Sequence, residues 1–256
     1  MTFKLIKILF GVAAIAAIFQ FYREIWPFWP VLLICISYIL VVLILSTNVQ
    51  FNFFVKAYNN NPAYPDNSVA FSFDDGPTEN TLEILEVLDK YQTKAAFFCI
   101  GRNIEKHPEI FREIIKRGHI VGNHTYSHTR KMGFLRTKII QKEIEQCNKI
   151  AENMGGVKMK LFRPPFGIIN PKTKRALQKT GHRVIGWNIR PYDAVTKSPD
   201  KIILRITKNL KKGDLILLHD NKPKTTAILE QLLVILEQRN FGTVRPDKLF
   251  DIHAYN

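Results

Sequence analysis

Cysteine is scarce in this sequence: Cys35, Cys99 and Cys147 are the only three, and none is spaced CxxC. An odd, scattered set implies no disulfide framework. Cys35 in an apolar run, Cys99 in AFFCIG and Cys147 in a helical pattern read as small hydrophobes. Internal repeats and low-complexity tracts are also lacking, and a 46% hydrophobic composition over 256 residues excludes a disordered chain. Acidic residues are few, 22 against 37 Lys and Arg. Such an excess favours polyanionic neighbours such as lipid headgroups, acidic glycans or nucleic acid. No interleaved aromatic and basic motif is present, so no nucleic-acid partner is expected and a solvated basic surface is the simpler reading.

What is present first is a pair of long uncharged runs. Ile8 to Phe19 is apolar or Gly throughout, and Trp26 to Leu45 is again uncharged. A bilayer takes about 20 residues. The second run suffices, and Leu5, Ile6 and Phe21 extend the first if Lys7 snorkels. Lys4 and Lys7 before an apolar stretch also suit a signal peptide, but cutting near Ala14 and Ala16 leaves a very short apolar core. The expectation is a transmembrane helical hairpin in residues 1–48, with helices at about 5–22 and 26–46, Trp26 and Trp29 at the interface, and the lipid bilayer as a partner. Lys4, Lys7 and Arg23 against Glu24 give the first 50 residues +2 of the formal +15, leaving +13 beyond them. Lys4, Lys7 and Lys56 outnumber Arg23 in the connection, which by a small margin points the large domain to the cytoplasm, and both sides stay open. Residues 49–67, rich in Asn and Pro, read as a polar linker.

From Val69 onward strands and helices alternate. Strands are expected at 69–73, 95–100, 119–122, 160–163, 183–187 and 214–218, and helices at 79–91, 108–117, 135–154, 171–180, 199–210 and 225–238, before a short closing strand. Repeated βα units imply a parallel sheet with helices outside it, closing like a barrel over residues 68–256.

In parallel α/β folds the site is built at the carboxyl ends of strands. There the sequence places Asp74-Asp75-Gly76-Pro77, His124 and His128 four apart, Arg163 before Pro164-Pro165-Phe166, Trp187 with Asp193 six residues on, and Leu217 before His219. In a helical turn the His spacing puts both rings on one side, able to converge on a metal. Each motif alone has a bland explanation, a solvated turn or a locally bonded histidine, but those explanations do not hold jointly.

The ordered set SFDDGP, HTYSH, RPPFG, the Trp187 to Asp193 segment and LLH resembles the polysaccharide deacetylases with a NodB-homology domain, carbohydrate esterase family four. The resemblance covers about Val69 to the carboxyl terminus and leaves the hairpin outside. It implies an α/β fold, a distorted (β/α) barrel, and a divalent metal, Zn2+ first among them, held by Asp75, His124 and His128. It further implies Asp74 as general base, aimed by Arg163, and His219 as general acid, oriented by Asp193. The backbone N–H of Phe166 would stabilise the oxyanion, with Leu217 and Trp187 lining the acetyl pocket. In two places the sequence departs from the family: Ala194 follows Asp193 where Trp is frequent, and Arg190 stands where an acidic residue is usual. The first removes an aromatic wall from the substrate groove and the second alters its charge.

With these residues in place, the resemblance implies a metal-dependent hydrolase removing N-acetyl groups from an amino-sugar glycan or a lipid-linked sugar. A cytoplasmic domain would take a lipid-linked sugar precursor as substrate, and an outside domain would meet cell-wall or exported polysaccharide. Two other readings exist: a membrane-tethered glycan-binding protein with a degenerate site, and a metal phosphodiesterase. Intact Asp74, His219 and Arg163 oppose the first. Many phosphoesterases use paired metals, and one carboxylate with two imidazoles makes a single-metal site.

Overall fold

The computed structural model describes residues 3–255. Two apolar helices come first, α1 (Phe3–Tyr22) and α2 (Trp29–Ser46). There follow β1 (Ala57–Tyr58), β2 (Ser68–Asp74), α3 (Glu79–Lys90), β3 (Ala96–Cys99), α4 (Gly101–Lys106), α5 (Pro108–Lys116) and β4 (Ile120–Asn123). The remainder comprises α6 (Thr137–Gly155), β5 (Leu161–Phe162), α7 (Pro171–Thr180), β6 (Arg183–Ile185), α8 (Pro199–Thr207), β7 (Leu215–His219), α9 (Lys224–Gln238), β8 (Gly242–Thr243) and α10 (Pro246–Phe250).

The strands form one sheet in the order β1-β6-β5-β4-β3-β2-β7, with β8 pairing β2, and the ladders between these strands are parallel. Beyond β6 the chain runs on to bridge β7 through Ile189 and Ile216, which curls the sheet into a distorted barrel. Side chains alternate across a strand. In β2, Val69, Phe71 and Phe73 face the helix layer and share a core with Leu85 and Leu88 of α3 and Leu229 and Leu232 of α9. Ala70 faces the barrel interior with Phe98, Ile120, Leu161, Ile185 and Leu215, and Leu249 of α10 joins that inner core. Burying each large apolar side chain contributes roughly 1.5–3 kcal/mol.

Local signals set the helix ends. Thr78 and Thr81 form a capping box before α3, Asn170 accepts from the amides of Lys172 and Thr173 ahead of Pro171, and Gly181 in the left-handed region ends α7.

The structure differs from the sequence reading in several places. Residues 49–67 are more than a linker: Val49–Phe51 forms a 3-10 turn, and β1 pairs with β6. Two strand residues show no period, and their partner lies far along the chain. Helix α2 begins at Trp29 rather than 26, with Pro30 in its first turn. The short helices α4 and α10 have no counterpart in the expected elements, being less than about two turns each.

Candidate active site

Strand parity gathers the polar residues. Counting inward positions along β2 (Ala70, Ser72, Asp74) and β7 (Leu215, Leu217, His219) places Asp74 and His219 last on the same face, and they are direct partners in the ladder. Leu161 faces the interior one residue before the outward Phe162, so Arg163 points inward again.

Asp75, His124 and His128 offer ligand atoms that all lie within 4.8 Å of one another. Asp75 Oδ1 is 3.7 Å from His124 Nε2 and 3.4 Å from His128 Nε2. Two atoms bound tetrahedrally to zinc at 2.0–2.1 Å lie about 3.4 Å apart, so the donor set fits such an ion. His124 is 2% exposed, and its Nδ1 lies 2.8 Å from the carbonyl of Arg163. A carbonyl only accepts, so Nδ1 carries the proton and Nε2 keeps its lone pair for the centre. Burial, then the charge of His128, pushes the His124 imidazole down to about 3, which keeps it neutral as a ligand must be.

The two histidines do not converge through a helical turn, as their spacing suggests. Thr125 and His128 both adopt left-handed φ, 67° and 47°. That turn is held by Thr125 N–H on Asn123 Oδ1 (2.9 Å), His128 N–H on Thr125 Oγ1 (3.1 Å), and Ser127 on Glu143 through both N–H and Oγ (2.8 Å each).

Asp74 presents Oδ1 to Arg163 Nη1 at 2.7 Å, while its Oδ2 faces His124 Nε2 at 3.8 Å. Arg163 is fully buried over the Phe98 ring, and it also donates to the carbonyls of Ile185 (3.2 Å) and Gly186 (2.6 Å). With both edges of the guanidinium occupied, Asp74 is held in one orientation.

Across the pocket, His219 Nδ1 lies 2.9 Å from Asp193 Oδ1, and the His219 N–H donates to Asp193 Oδ2 at 2.8 Å. Burial pulls the His219 imidazole down, but the hydrogen bond and charge of Asp193, with the charges of Asp74 and Asp75, outweigh it and leave a net rise. Asp74, Asp75, His124, His128 and His219 line one cavity of about 230 Å3, with Trp187 and Leu217 buried in its wall and Phe166, Arg190 and Val195 at its edge. Phe166 has φ 60°, its ring packs on His128 at 4.8 Å, and its N–H forms no backbone hydrogen bond among the described residues. A Cβ on Gly167 (φ 74°) would lie 2.7 Å from Trp187, so only glycine lets this turn close on the indole.

The sequence departures have visible outcomes. Ala194 and Val195 line the pocket where an aromatic is frequent, and Arg190 lies over both Trp187 and Tyr192, 5.3 Å from each ring. Among the described residues Arg190 forms no ion pair with a carboxylate.

Three supporting residues escape sequence reasoning. Asn103 Nδ2 donates to the Asp75 carbonyl at 2.6 Å, and Asn221 Nδ2 donates to Asp75 Oδ2 at 3.2 Å. Together they hold Asp75 in its left-handed conformation, φ 78°, with Oδ1 left toward the histidines. Asp220 is buried, accepts from Thr81 Oγ1 at 2.7 Å and fills the space a Cβ on Gly76 would need. Burial, with the nearby charges of Asp75 and Asp74, raises its carboxyl to about 7. Only its place directly after LLH, a carboxylate beside a strand-end histidine, signals Asp220 in the sequence.

A family model described as polysaccharide deacetylase matches residues 61–185. A peptidoglycan-N-acetylglucosamine deacetylase of Bacillus cereus is 31% identical over 187 residues, covering 71% of this chain and 87% of that protein. The peptidoglycan-N-acetylmuramic acid deacetylase PdaC of Bacillus subtilis is 29% identical over 185 residues, 72% of this chain but 39% of PdaC. The crystal structure of the Bc1960 peptidoglycan N-acetylglucosamine deacetylase, in complex with a hydroxamate-type benzamide, superposes with a TM-score of 0.71 at 28% identity, covering 77% of this chain and 94% of that one.

Proposed function

The chain belongs to the polysaccharide deacetylase family, the NodB-homology carbohydrate N-deacetylases, and from that premise we propose that it is a metal-dependent hydrolase releasing acetate from N-acetylated amino sugars of a glycan or glycolipid. The observation that carries this reading is the arrangement of two oriented proton-transfer groups, Asp74 on Arg163 and His219 on Asp193, around one cavity that also holds the Asp75, His124 and His128 donors.

Asp75, His124 and His128 would hold the metal, and the one-carboxylate, two-imidazole donor set suits zinc. A bound ion of this kind lowers the pKa of a water toward about 7 and polarises the acetamido carbonyl. Asp74 Oδ2, the oxygen not engaged by Arg163, takes a proton from the attacking water. As the C–O bond forms, the carbonyl oxygen gains charge, and the Phe166 N–H donates to it. His219 Nε2 gives its proton to the sugar nitrogen as the C–N bond breaks, so acetate and a free amine leave. Trp187 and Leu217 exclude water from the acetyl methyl.

The relatives named for peptidoglycan sugars make N-acetylglucosamine and N-acetylmuramic acid oligomers the first substrates to offer. Arg190, which has no carboxylate partner among the described residues and lies at the pocket edge, favours sugars that carry an anionic group. Helices α1 and α2 are long and apolar enough to cross a membrane, and we read them as a hairpin anchoring the domain. Acetate release is measured for wild type with and without chelator and for Asp74→Asn. Loss in the chelated and substituted samples is expected; equal release in all of them refutes the proposal.

A further inference from the structure

The hairpin meets the catalytic domain at one end. Phe3 packs edge-on against Phe53 and Phe54, Val42 and Leu45 join the core that contains Phe54 and Trp187, and the Ser46 carbonyl accepts the Ile169 N–H at 3.0 Å. Only 11% of each candidate span is buried, so the rest of its length projects away.

That attachment falls beside the pocket. Ile169 directly precedes the Asn170 cap of α7 and lies three residues after Phe166 at the pocket edge. Asn170 Nδ2 donates to the Gly133 carbonyl at 2.7 Å, and Lys172 Nζ donates to the Phe134 carbonyl at 3.4 Å. The loop after the ligand His128 is therefore stitched to the root of the hairpin, and the Phe166 ring closes the circuit by packing on His128.

The chemistry of this surface is one-sided. Phe134 is 80% exposed at the end of the 3-10 turn Met132–Phe134, and Phe51 at the hairpin root is 50% exposed. Arg130, Lys131, Arg136 and Lys138 flank Phe134 and face solvent. Segments 3–10, 46–58, 129–142 and 167–183 contain Lys or Arg, Lys56 alone in the second, and no Asp or Glu; the carboxylates of α6 begin beyond them at Glu143. A bare aromatic ring flanked by exposed cations on both sides is what an anionic lipid surface accommodates: the ring enters the boundary of the acyl region and the cations meet headgroup phosphates.

We infer that the surface centred on Phe134 lies on the headgroup layer of an anionic bilayer, so that the catalytic pocket opens at the membrane surface. This rests on the reading of α1 and α2 as a membrane hairpin. If they span, their root must sit at the headgroup level, and the Phe134 loop is bonded to that root. The occupant is lipid rather than a protein partner because the surface is continuous with the apolar hairpin and has no acidic residue to pair with a mixed-charge protein face.

The test uses the full chain in nanodiscs of equal parts phosphatidylglycerol and phosphatidylcholine. Nitroxide labels are placed singly at Phe134→Cys, Leu40→Cys and Leu204→Cys in a Cys35→Ser background, since Cys99 and Cys147 are buried. Leu40 lies within α2, and Leu204 is an exposed position on α8. Collision with oxygen relative to a water-soluble nickel chelate is expected to be several-fold higher at 134 than at 204, and the difference to shrink in pure phosphatidylcholine or with Lys131→Glu and Arg136→Glu combined. A label at 134 as aqueous as that at 204, with the one at 40 in hydrocarbon, overturns the inference. A label at 40 that is itself aqueous overturns it through its premise. Acetate release, measured separately, reports on the deacetylase reading alone.

Discussion

Replacing Asp193 by Asn tests the proposal that His219 is the general acid by separating its orientation from its charge. In the native site Asp193 is fully buried and accepts two hydrogen bonds from His219, 2.9 Å from Nδ1 and 2.8 Å from the backbone N–H. An asparagine has one oxygen, so one of those donors would face an NH2 group, at a cost of about 1–3 kcal/mol for the unsatisfied pair. The larger effect is on the proton. Burial pulls the His219 imidazole down, and the Asp193 hydrogen bond and charge reverse that to a net rise above 6.5. With the charge gone, burial prevails and the imidazole falls below 6.5. The basic limb of kcat/KM against pH should move from above 6.5 to below it, and each unit of that movement costs about tenfold in protonated acid on the alkaline side. Adding the lost orientation, for which a general acid contributes about 10²–10⁴-fold, Asp193→Asn should lose about 10²-fold or more at pH 8 and distinctly less at pH 6. Stability follows the same sign. A histidine raised on folding contributes stability that is present below 6.5 and lost as pH rises through the folded value. The gap in Tm between wild type and Asp193→Asn should thus be wider at pH 5.5 than at pH 8.5. A rate loss uniform across pH, with the basic limb unmoved, refutes the assignment of His219 as the acid.

Asn103→Ala and Asn221→Ala free the Asp75 backbone and outer carboxylate oxygen respectively, and each should weaken zinc binding by about 10–100-fold in a calorimetric titration while the far-UV dichroism is retained. Arg190→Ala should lower kcat/KM about tenfold or more for oligomers bearing a carboxylate next to the acetamido sugar and leave neutral oligomers within about twofold, since a charge-assisted hydrogen bond contributes about 1.5–3 kcal/mol; equal losses on both would remove Arg190 from recognition. Burial, with the charge of Lys94 next in order for His119, lowers His119 and His182 to about 4. The His119 Nδ1 accepts the Ala95 N–H at 3.1 Å and cannot take a proton without losing it. Their contribution, complete above pH 6.5, is lost as pH falls from 6.5 toward about 4, so the denaturant midpoint should drop over that range and drop less in His119→Gln.

Much of this site is legible in the sequence because a parallel sheet leaves few places for polar side chains. Asp74, His124, Arg163, Trp187 and His219 stand at or just beyond the ends of apolar strands, and every such end in a parallel sheet points the same way. Alternation is the part that stays hidden. VAFSF is buried on both faces, so it reads as one apolar run, and the inward column Ala70, Ser72, Asp74 emerges only when the partners of β2 are known. Spacing misleads at His124 and His128 for a related reason. Four residues fit one helical turn, but the rings converge through left-handed Thr125 and His128, and a β-branched Thr in that conformation is an outlier that no local pattern announces. The bonds that enforce it come from Asn123 on the preceding strand and Glu143 on α6, contacts no local pattern carries. Asn103 and Asn221 are harder still, because an asparagine has no titration or ligand chemistry to mark it and matters only through the oxygen it meets. The sequence therefore exposes groups whose own chemistry is distinctive and conceals those that act by holding them. The same asymmetry applies to the hairpin. Its apolar length is plain in the chain, whereas the bond from Ile169 to Ser46 that sets it beside the pocket depends on two backbone groups that any residues could supply.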